Sequence, residues 1–185
     1  MERLNVNPTR MMLTTLKKRL ATAQRGHKLL KDKRDELMKG FLELARENKV
    51  LREQVEEALA DVYGSFSIAG AVMSKEVMEE ALMFPKQGVA LTVGSKNVMS
   101  VDVPRFGFET TAADASDIYP YGYASTSGEL DSAIKDLADI FPIMLELAAK
   151  EKEAQMLAAE LERTRRRVNA LEYVMIPEME KNIKY

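Results

Sequence analysis

The chain has no cysteine and no tryptophan, and only 6% of its 185 residues are aromatic. Without cysteine there is no disulfide framework and no thiolate metal site. No apolar run approaches the roughly 18 residues of a membrane-spanning helix, and the N-terminus lacks the apolar core of a signal peptide. The sequence also holds no P-loop, no G-x-G-x-x-G and no H-E-x-x-H motif. These absences predict a chain with no cofactor, no metal and no catalytic site of its own.

Glycine and proline are scarce and unevenly placed. Most of the 9 Gly and 6 Pro residues lie between residues 64 and 128. Long helices on either side of an irregular middle fit this distribution, and an apolar content of 46% argues against disorder. We therefore predict an N-terminal coiled-coil helix over residues 1–84, a hairpin and loop insert over 85–128, and a C-terminal coiled-coil helix over 129–185.

The apolar residues of the first segment repeat every seven positions from Leu13, which we place at heptad position a. A heptad sustained over so many repeats is typical of a coiled coil. Thr9 is the predicted N-cap, and a helix from there to Val62 would be roughly 80 Å long. Seven successive d positions are Leu or Ala: Leu16, Ala23, Leu30, Leu37, Leu44, Leu51 and Ala58.

The last segment repeats this pattern with Leu130 at position a. Its helix is predicted to begin at Glu129, and Pro142 and Pro177 are predicted to kink it because each removes a backbone donor. The helical pattern is unfinished at Tyr185, so we expect the natural chain to continue. The seven d positions are again apolar: Ala133, Ile140, Leu147, Ala154, Leu161, Val168 and Met175.

Each apolar stripe needs a partner, and the simplest partner is the other stripe. Folding back around a turn near residue 98 gives an antiparallel pair whose facing positions sum to about 196, which sets His27 against Val168. A parallel dimer is the alternative, and the long insert favours folding back. Polar residues at three a positions weaken the seam but can fix its register. They are His27, Arg34 and Asn48.

The insert changes period from seven to two. Alternating apolar residues predict a β-hairpin with one apolar face, a turn at Gly94–Asn97 and an end at Pro104. The aromatic-rich stretch that follows is predicted to be a loop. The candidate hairpin residues are Val89, Leu91, Val93, Met99, Val101 and Val103.

Charge is segregated along the chain. Residues 1–40 and 159–185 together carry 17 Lys and Arg against 9 Asp and Glu, a net of +8, whereas residues 41–158 carry 10 against 20, a net of −10. Folded antiparallel, the end that holds the termini is basic, which suits an acidic protein surface or phosphates. The candidate partner-binding residues at this end are Arg10, Arg25, Lys28, Lys31, Lys33, Arg34, Arg163, Arg165, Arg166 and Arg167.

Three stretches closely resemble the D-subunit family of V-type and A-type ATPases: N-V-N-P-T-R at residues 5–10, R-G-H-K-L-L-K-D-K at 25–33 and R-R-R-V-N-A-L-E-Y at 165–173. The resemblance implies a non-catalytic rotor axle that carries torque between a ring of A and B subunits and the membrane ring. It also implies two further partners, a small F subunit and a membrane-side connector called d or C. The expected location is peripheral, on the cytoplasmic side of the membrane.

Two other functions are compatible with the residue patterns alone. A stand-alone coiled-coil adaptor would explain the heptads and the charge segregation. A nucleic-acid-binding coiled-coil arm would explain the cluster of four arginines within residues 163–167, although no aromatic residues interleave with it for base stacking. Our prediction is therefore of no nucleic-acid partner and no direct membrane insertion.

Overall fold

A computed structural model describes residues 9–110, 118–122, 124 and 126–184. Residues 5–8 of the first motif, Tyr123 of the aromatic loop and Tyr185 lie outside this part of the chain. The predicted mainly-α fold with a small antiparallel hairpin is confirmed. In chain order the elements are α1 (Arg10–Val72), α2 (Lys75–Leu82), β1 (Val89–Val98), β2 (Val101–Thr110), α3 (Gly128–Ala170), a π-helical turn (Leu171–Met175) and α4 (Ile176–Lys184).

The chain forms two compact units. The first, which we call the terminal unit, comprises Met1–Glu43 and Gln155–Tyr185. The second, the hairpin unit, comprises Leu44–Ala154. Both α1 and α3 contribute residues to each unit, so each unit contains its own antiparallel helix pair.

α1 is 63 residues long, and its first turn is capped as the sequence predicts. The Met12 N–H donates to Thr9 Oγ1 at 3.2 Å, which satisfies one of the free donors at the helix start. The helix ends at Val72, whereas the sequence predicts an N-terminal helix that continues to residue 84. The Ser74 hydroxyl accepts a hydrogen bond from the Val77 N–H at 3.4 Å and starts α2 as a separate helix.

The terminal unit pairs the start of α1 with the end of α3 in an antiparallel arrangement. Lys33 Nζ lies 3.3 Å from Glu160 Oε1, and His27 Nε2 lies 3.4 Å from Glu172 Oε2. The residue numbers of these two pairs sum to 193 and 199, on either side of the sum of about 196 predicted for facing positions. His27 therefore meets Glu172, which lies one helical turn beyond the predicted Val168. The buried residues of this seam are Leu16, Leu37, Leu157, Thr164 and Val168.

The hairpin unit buries a different set of heptad positions. On α1 the buried residue changes from position d at Leu44 to position a at Val55, Val62 and Ala69. The stripe shifts because 3.6 residues per turn do not match a strict seven-residue repeat. A small cluster closes this seam, in which Ala69 packs with Ala81 of α2 and Leu130 of α3.

The hairpin turn lies at Met99 and Ser100, beyond the predicted turn at Gly94–Asn97. Both residues have positive φ, 51° and 69°, as a two-residue type I′ turn requires. The Asn97 side chain supports the turn because its Oδ1 accepts from the Ser100 N–H at 3.1 Å and its Nδ2 donates to Asp102 at 2.7 Å. Met99 therefore lies in the turn of the hairpin, and not in the second strand as a turn at Gly94–Asn97 would imply.

Pro104 does not end the hairpin, contrary to the prediction, because it lies inside β2 opposite Ser95. Counting from the closing pair Val98 and Val101, this is a non-hydrogen-bonded position, where the ladder needs no N–H from the proline. Gly107 is closely approached by the side chain of Thr92 on the neighbouring strand. A Cβ there would meet the Thr92 hydroxyl at 2.8 Å, while that hydroxyl donates to the Gly107 carbonyl at 3.1 Å.

The predicted single apolar face of the hairpin was also wrong. The register pairs Leu91 with Phe108 and Val93 with Phe106, whereas Val103 pairs with Lys96. Because side chains alternate between the two faces, Val89, Leu91 and Val93 lie on the face opposite Val101 and Val103. Val101 and Val103 are buried, and Val89, Leu91 and Val93 are exposed.

The two prolines in the C-terminal helical segment have different surroundings. Pro142 lies within α3, which continues through it. Pro177 follows the π-helical turn, in which the Ile176 N–H donates to the Leu171 carbonyl five residues back. Since Pro177 cannot donate to the carbonyl four residues before it, the wider turn accommodates the missing donor.

Candidate partner-binding surfaces

The predicted basic residues all fall in the terminal unit. Lys33 of α1 and Arg163 of α3 lie at one level of its helix pair, because they approach the same Glu160 carboxylate at 3.3 and 3.9 Å. The unit as a whole carries 17 Lys and Arg against 10 Asp and Glu, a formal net charge of +7. The hairpin unit carries 10 against 19, a net of −9.

Four of the ten candidate cations form ion pairs within the chain. Lys33 and Arg163 share Glu160, Arg34 contacts the neighbouring Asp35 at 2.7 Å, and Arg166 contacts Glu162 one turn earlier on α3. Except for the contact between Lys33 and Glu160, these pairs are local to one helix. Local exposed pairs contribute little to stability, but they leave these cations less available to another protein.

Six candidate cations form no ion pair with any residue that the structure describes. All are exposed, and one of them, Arg25, donates from Nε to the Ala21 carbonyl at 3.3 Å on its own helix. We call this set the free basic residues, and it contains members from both helices of the terminal unit. They are Arg10, Arg25, Lys28, Lys31, Arg165 and Arg167.

The hairpin unit exposes large apolar side chains at the last turns of α1 and at the end of α2. Val72 is 71% exposed and Phe84 is 75% exposed. Met78 of α2 approaches the Cβ position of Gly70 at 3.6 Å, so α2 packs beside the last turns of α1. Exposed apolar residues grouped in this way are typical of a protein–protein contact. The group comprises Ile68, Val72, Leu82, Met83 and Phe84.

Each unit also has a groove between its elements. A groove of about 620 Å³ in the hairpin unit lies between β2 and α3, where Phe108 meets Phe141 edge to face at 6.5 Å. A groove of about 570 Å³ in the terminal unit lies between α1 and the π-helical turn. Both grooves are open and lined by apolar and charged side chains, as at protein contact sites.

Within the described part of the chain, no group of three or more His, Asp or Glu side chains is placed to hold a metal ion. None of the described helices is both long enough and apolar enough to span a bilayer.

Sequence reasoning missed two features of these surfaces. It did not identify the exposed apolar group at the ends of α1 and α2, although Leu82, Met83 and Phe84 form a short apolar run before Pro85. It also did not separate paired from free cations. Spacing could have suggested the pair between Arg166 and Glu162, which are four residues apart on one helix.

Paired helices with free basic residues in one unit and exposed apolar residues in the other are the features of a helical scaffold whose surfaces suit contacts with other proteins. Residues 12–185 match the family model for the D subunit of ATP synthase. The D subunit of the V-type ATP synthase of Acetivibrio thermocellus is 63% identical over 182 residues, which cover 98% of this chain and 82% of the relative. The proteins of the same name from Clostridioides difficile and Clostridium novyi are 62% and 56% identical over the full chain, covering 83% and 86% of their own lengths.

The chain therefore belongs to the D-subunit family of ATP synthases. This confirms the resemblance carried by the three sequence motifs. It also makes the chain an accessory component of a rotary ATPase rather than a catalytic one. Membership of a larger assembly is favoured over a stand-alone adaptor.

Proposed function

We propose that this chain is the central stalk rotor subunit of its ATPase and transmits torque between the ATP-converting A/B ring and the ion-translocating membrane ring. The observation that carries the proposal is the opposite charge of the two units, +7 and −9. A rotor subunit that engages different neighbours through its two units needs different surfaces on them. Family membership supplies the complex in which such a shaft works.

The terminal unit is the part that engages the A and B subunits. Its free basic residues lie on exposed surfaces of both helices, where they can meet acidic side chains on more than one side. Exposed ionic contacts form and break without deep interlocking of side chains, which suits a part that turns inside a sleeve. Arg165 and Arg167 represent this surface on α3, and Lys28 and Lys31 represent it on α1.

The hairpin unit is the part that engages the small F subunit and the membrane-side connector. Its support is the exposed apolar group at the ends of α1 and α2 together with the exposed Val89, Leu91 and Val93 of β1. With these partners, the proposed location is peripheral, on the cytoplasmic side of the membrane.

The test is assembly with the A and B subunits of the same complex. Purified A/B ring should retain the full chain, and the reconstituted complex should show rotation coupled to ATP hydrolysis. The double variant R165E/R167E should weaken this retention by about 10- to 100-fold at physiological salt, because two attractive contacts become repulsive in a screened environment. The loss should be larger at low salt.

The matched control is K49E/K75E, which changes the net charge of the chain by the same amount at two exposed lysines of the hairpin unit. It should leave retention by the A/B ring unchanged. Equal loss in both double variants would show that only total charge matters. Normal assembly and coupled rotation of R165E/R167E would contradict the proposed sleeve contact.

A further inference from the structure

The helix pair of the hairpin unit has an interruption in its apolar seam. On α1 no residue between Leu44 and Val55 is buried, and on α3 no residue of this unit after Ile140 is buried. The heptad pattern alone predicts Leu51 and Leu147 at d positions here, and both are only half-buried. Polar side chains are interspersed with the half-buried leucines in this interval on both helices.

These polar side chains contact one another across the two helices. Asn48 Nδ2 donates to the backbone carbonyl of Lys150 at 3.3 Å, and Lys150 Nζ donates to Glu47 Oε2 at 3.0 Å. The hydrogen bond to Glu47 raises the pKa of Lys150, as does its neighbour Glu146, whose carboxylate lies 3.3 Å from Nζ.

A second cross-helix ion pair lies beside the first. Arg52 Nη2 of α1 lies 2.5 Å from Glu151 Oε1 of α3. Together the two sets hold the helices at adjacent turns, so a relative displacement breaks both. We call the whole group the polar clamp, and its members are Glu47, Asn48, Arg52, Glu146, Lys150 and Glu151.

Asn48 is an unfavourable residue for stability at this place. It occupies a heptad a position, and its Oδ1 is buried without a hydrogen-bond partner among the described residues. Leaving such an acceptor unpaired costs stability. A polar residue at one a position is a known means of fixing the register of coiled-coil helices at that cost.

We propose that the polar clamp sets the axial register of α1 against α3 in the hairpin unit. Apolar heptad positions repeat, so a slip of seven residues exchanges one apolar contact for another. The clamp does not tolerate this slip, because it would set Glu47 opposite Ile143 and Arg52 opposite Met144. In the proposed rotor a fixed register would keep the two helices from sliding under load. That consequence rests on the proposed function, whereas the register itself does not.

The experiment measures one distance across the helix pair of the full chain. Because the sequence has no cysteine, D61C and K152C place spin labels at two exposed positions of the hairpin unit, outside the clamp. Double electron–electron resonance should give one narrow distance. In the variant N48L/R52Q/K150M a second population should appear, displaced by about 10 Å, the length of seven helical residues.

Asn48→Leu by itself should raise Tm by about 2–4 °C, because it removes the unpaired acceptor and adds apolar contact. The matched control is Asn169→Leu, the same substitution at an exposed position of α3, which should change neither the distance nor Tm. Exchanging the charges of Arg52 and Glu151 tests the effect on helix register separately from the effect on stability. R52E should broaden the distance distribution, and R52E/E151R should restore a single distance.

A single unchanged distance in N48L/R52Q/K150M with full helicity would overturn the proposal. If that variant fails to fold, the R52E and R52E/E151R variants decide. The proposal would also be overturned if R52E left the distance distribution as narrow as before, or if R52E/E151R did not restore a single distance. None of these measurements involves the A/B ring. Failure of the register proposal and failure of the rotor assignment are therefore separate results.

Discussion

Leu37 offers the sharpest test of how the terminal unit is held together. It is 1% exposed, among the most completely buried side chains of the described residues. Leu37→Ala removes about three apolar carbon groups from the seam, worth about 2.4 kcal/mol at about 0.8 kcal/mol each. A residual cavity adds to this cost, but the helices can partly close over it, which limits the addition. The free energy of unfolding should therefore fall by about 2–4 kcal/mol.

Leu29 provides a matched control on the same helix. It is 70% exposed, so Leu29→Ala removes little contact and places a better helix former on the surface. Its effect should stay within about 0.5 kcal/mol of zero. Leu30 lies at the same heptad position as Leu37 but is only half-buried, so Leu30→Ala should fall between the two.

The assay is urea unfolding of the full chain followed by circular dichroism. The three variants should rank by burial, with the midpoint lowered most in L37A and hardly changed in L29A. A linear fit with a common slope converts the midpoints to free energies. Equal shifts for L37A and L30A would refute the reasoning, because they would show that heptad position determines the cost and burial does not.

Three further outcomes are expected. The pKa of Lys150 is raised above its usual value of 10.5, first by its hydrogen bond with Glu47. Its stabilising contribution is therefore complete below pH 10.5 and is lost as the pH rises from there through the raised pKa. Lys150→Met should therefore flatten the alkaline limb of a stability–pH curve, and an unchanged limb would contradict this. Replacing residues 89–110 by a short glycine–serine linker should weaken binding of the F subunit or the connector with helicity otherwise retained, and collapse of the helical dichroism would count against it. Pro177→Ala restores a backbone donor, so it should convert the turn at 171–175 to regular helix and raise stability by about 1–3 kcal/mol, as urea unfolding would show.

The antiparallel pairing could be predicted because both stripes are long and only one turn joins them. The observed cross-helix contacts of Lys33, His27 and Asn48 fall within a few residues of the predicted register. The hairpin turn could not be predicted in the same way. The turn was predicted at Gly94 because glycine is common in turns, whereas the observed turn at Met99 and Ser100 depends on the Asn97 side chain.

The candidate surfaces were predicted only as sets of residues. The basic residues follow from the composition of the two terminal segments, and the structure does place them in one unit. Which of them are free depends on neighbours such as Glu160, which lies 127 residues from Lys33 along the chain. No local pattern determines such a pair, because it forms only when the two helices are in register.

The sequence alone determined the helices, their heptad stripes and the segregation of charge, because these depend on residues close together along the chain. The tertiary structure decided which heptad positions are buried, which cations are free and how the hairpin is aligned. The stripe shifts from d at Leu44 to a at Val55, and the polar clamp lies where that shift occurs. Burial and ion pairing depend on distances between residues far apart in the sequence, and only the packed helix pair fixes those distances.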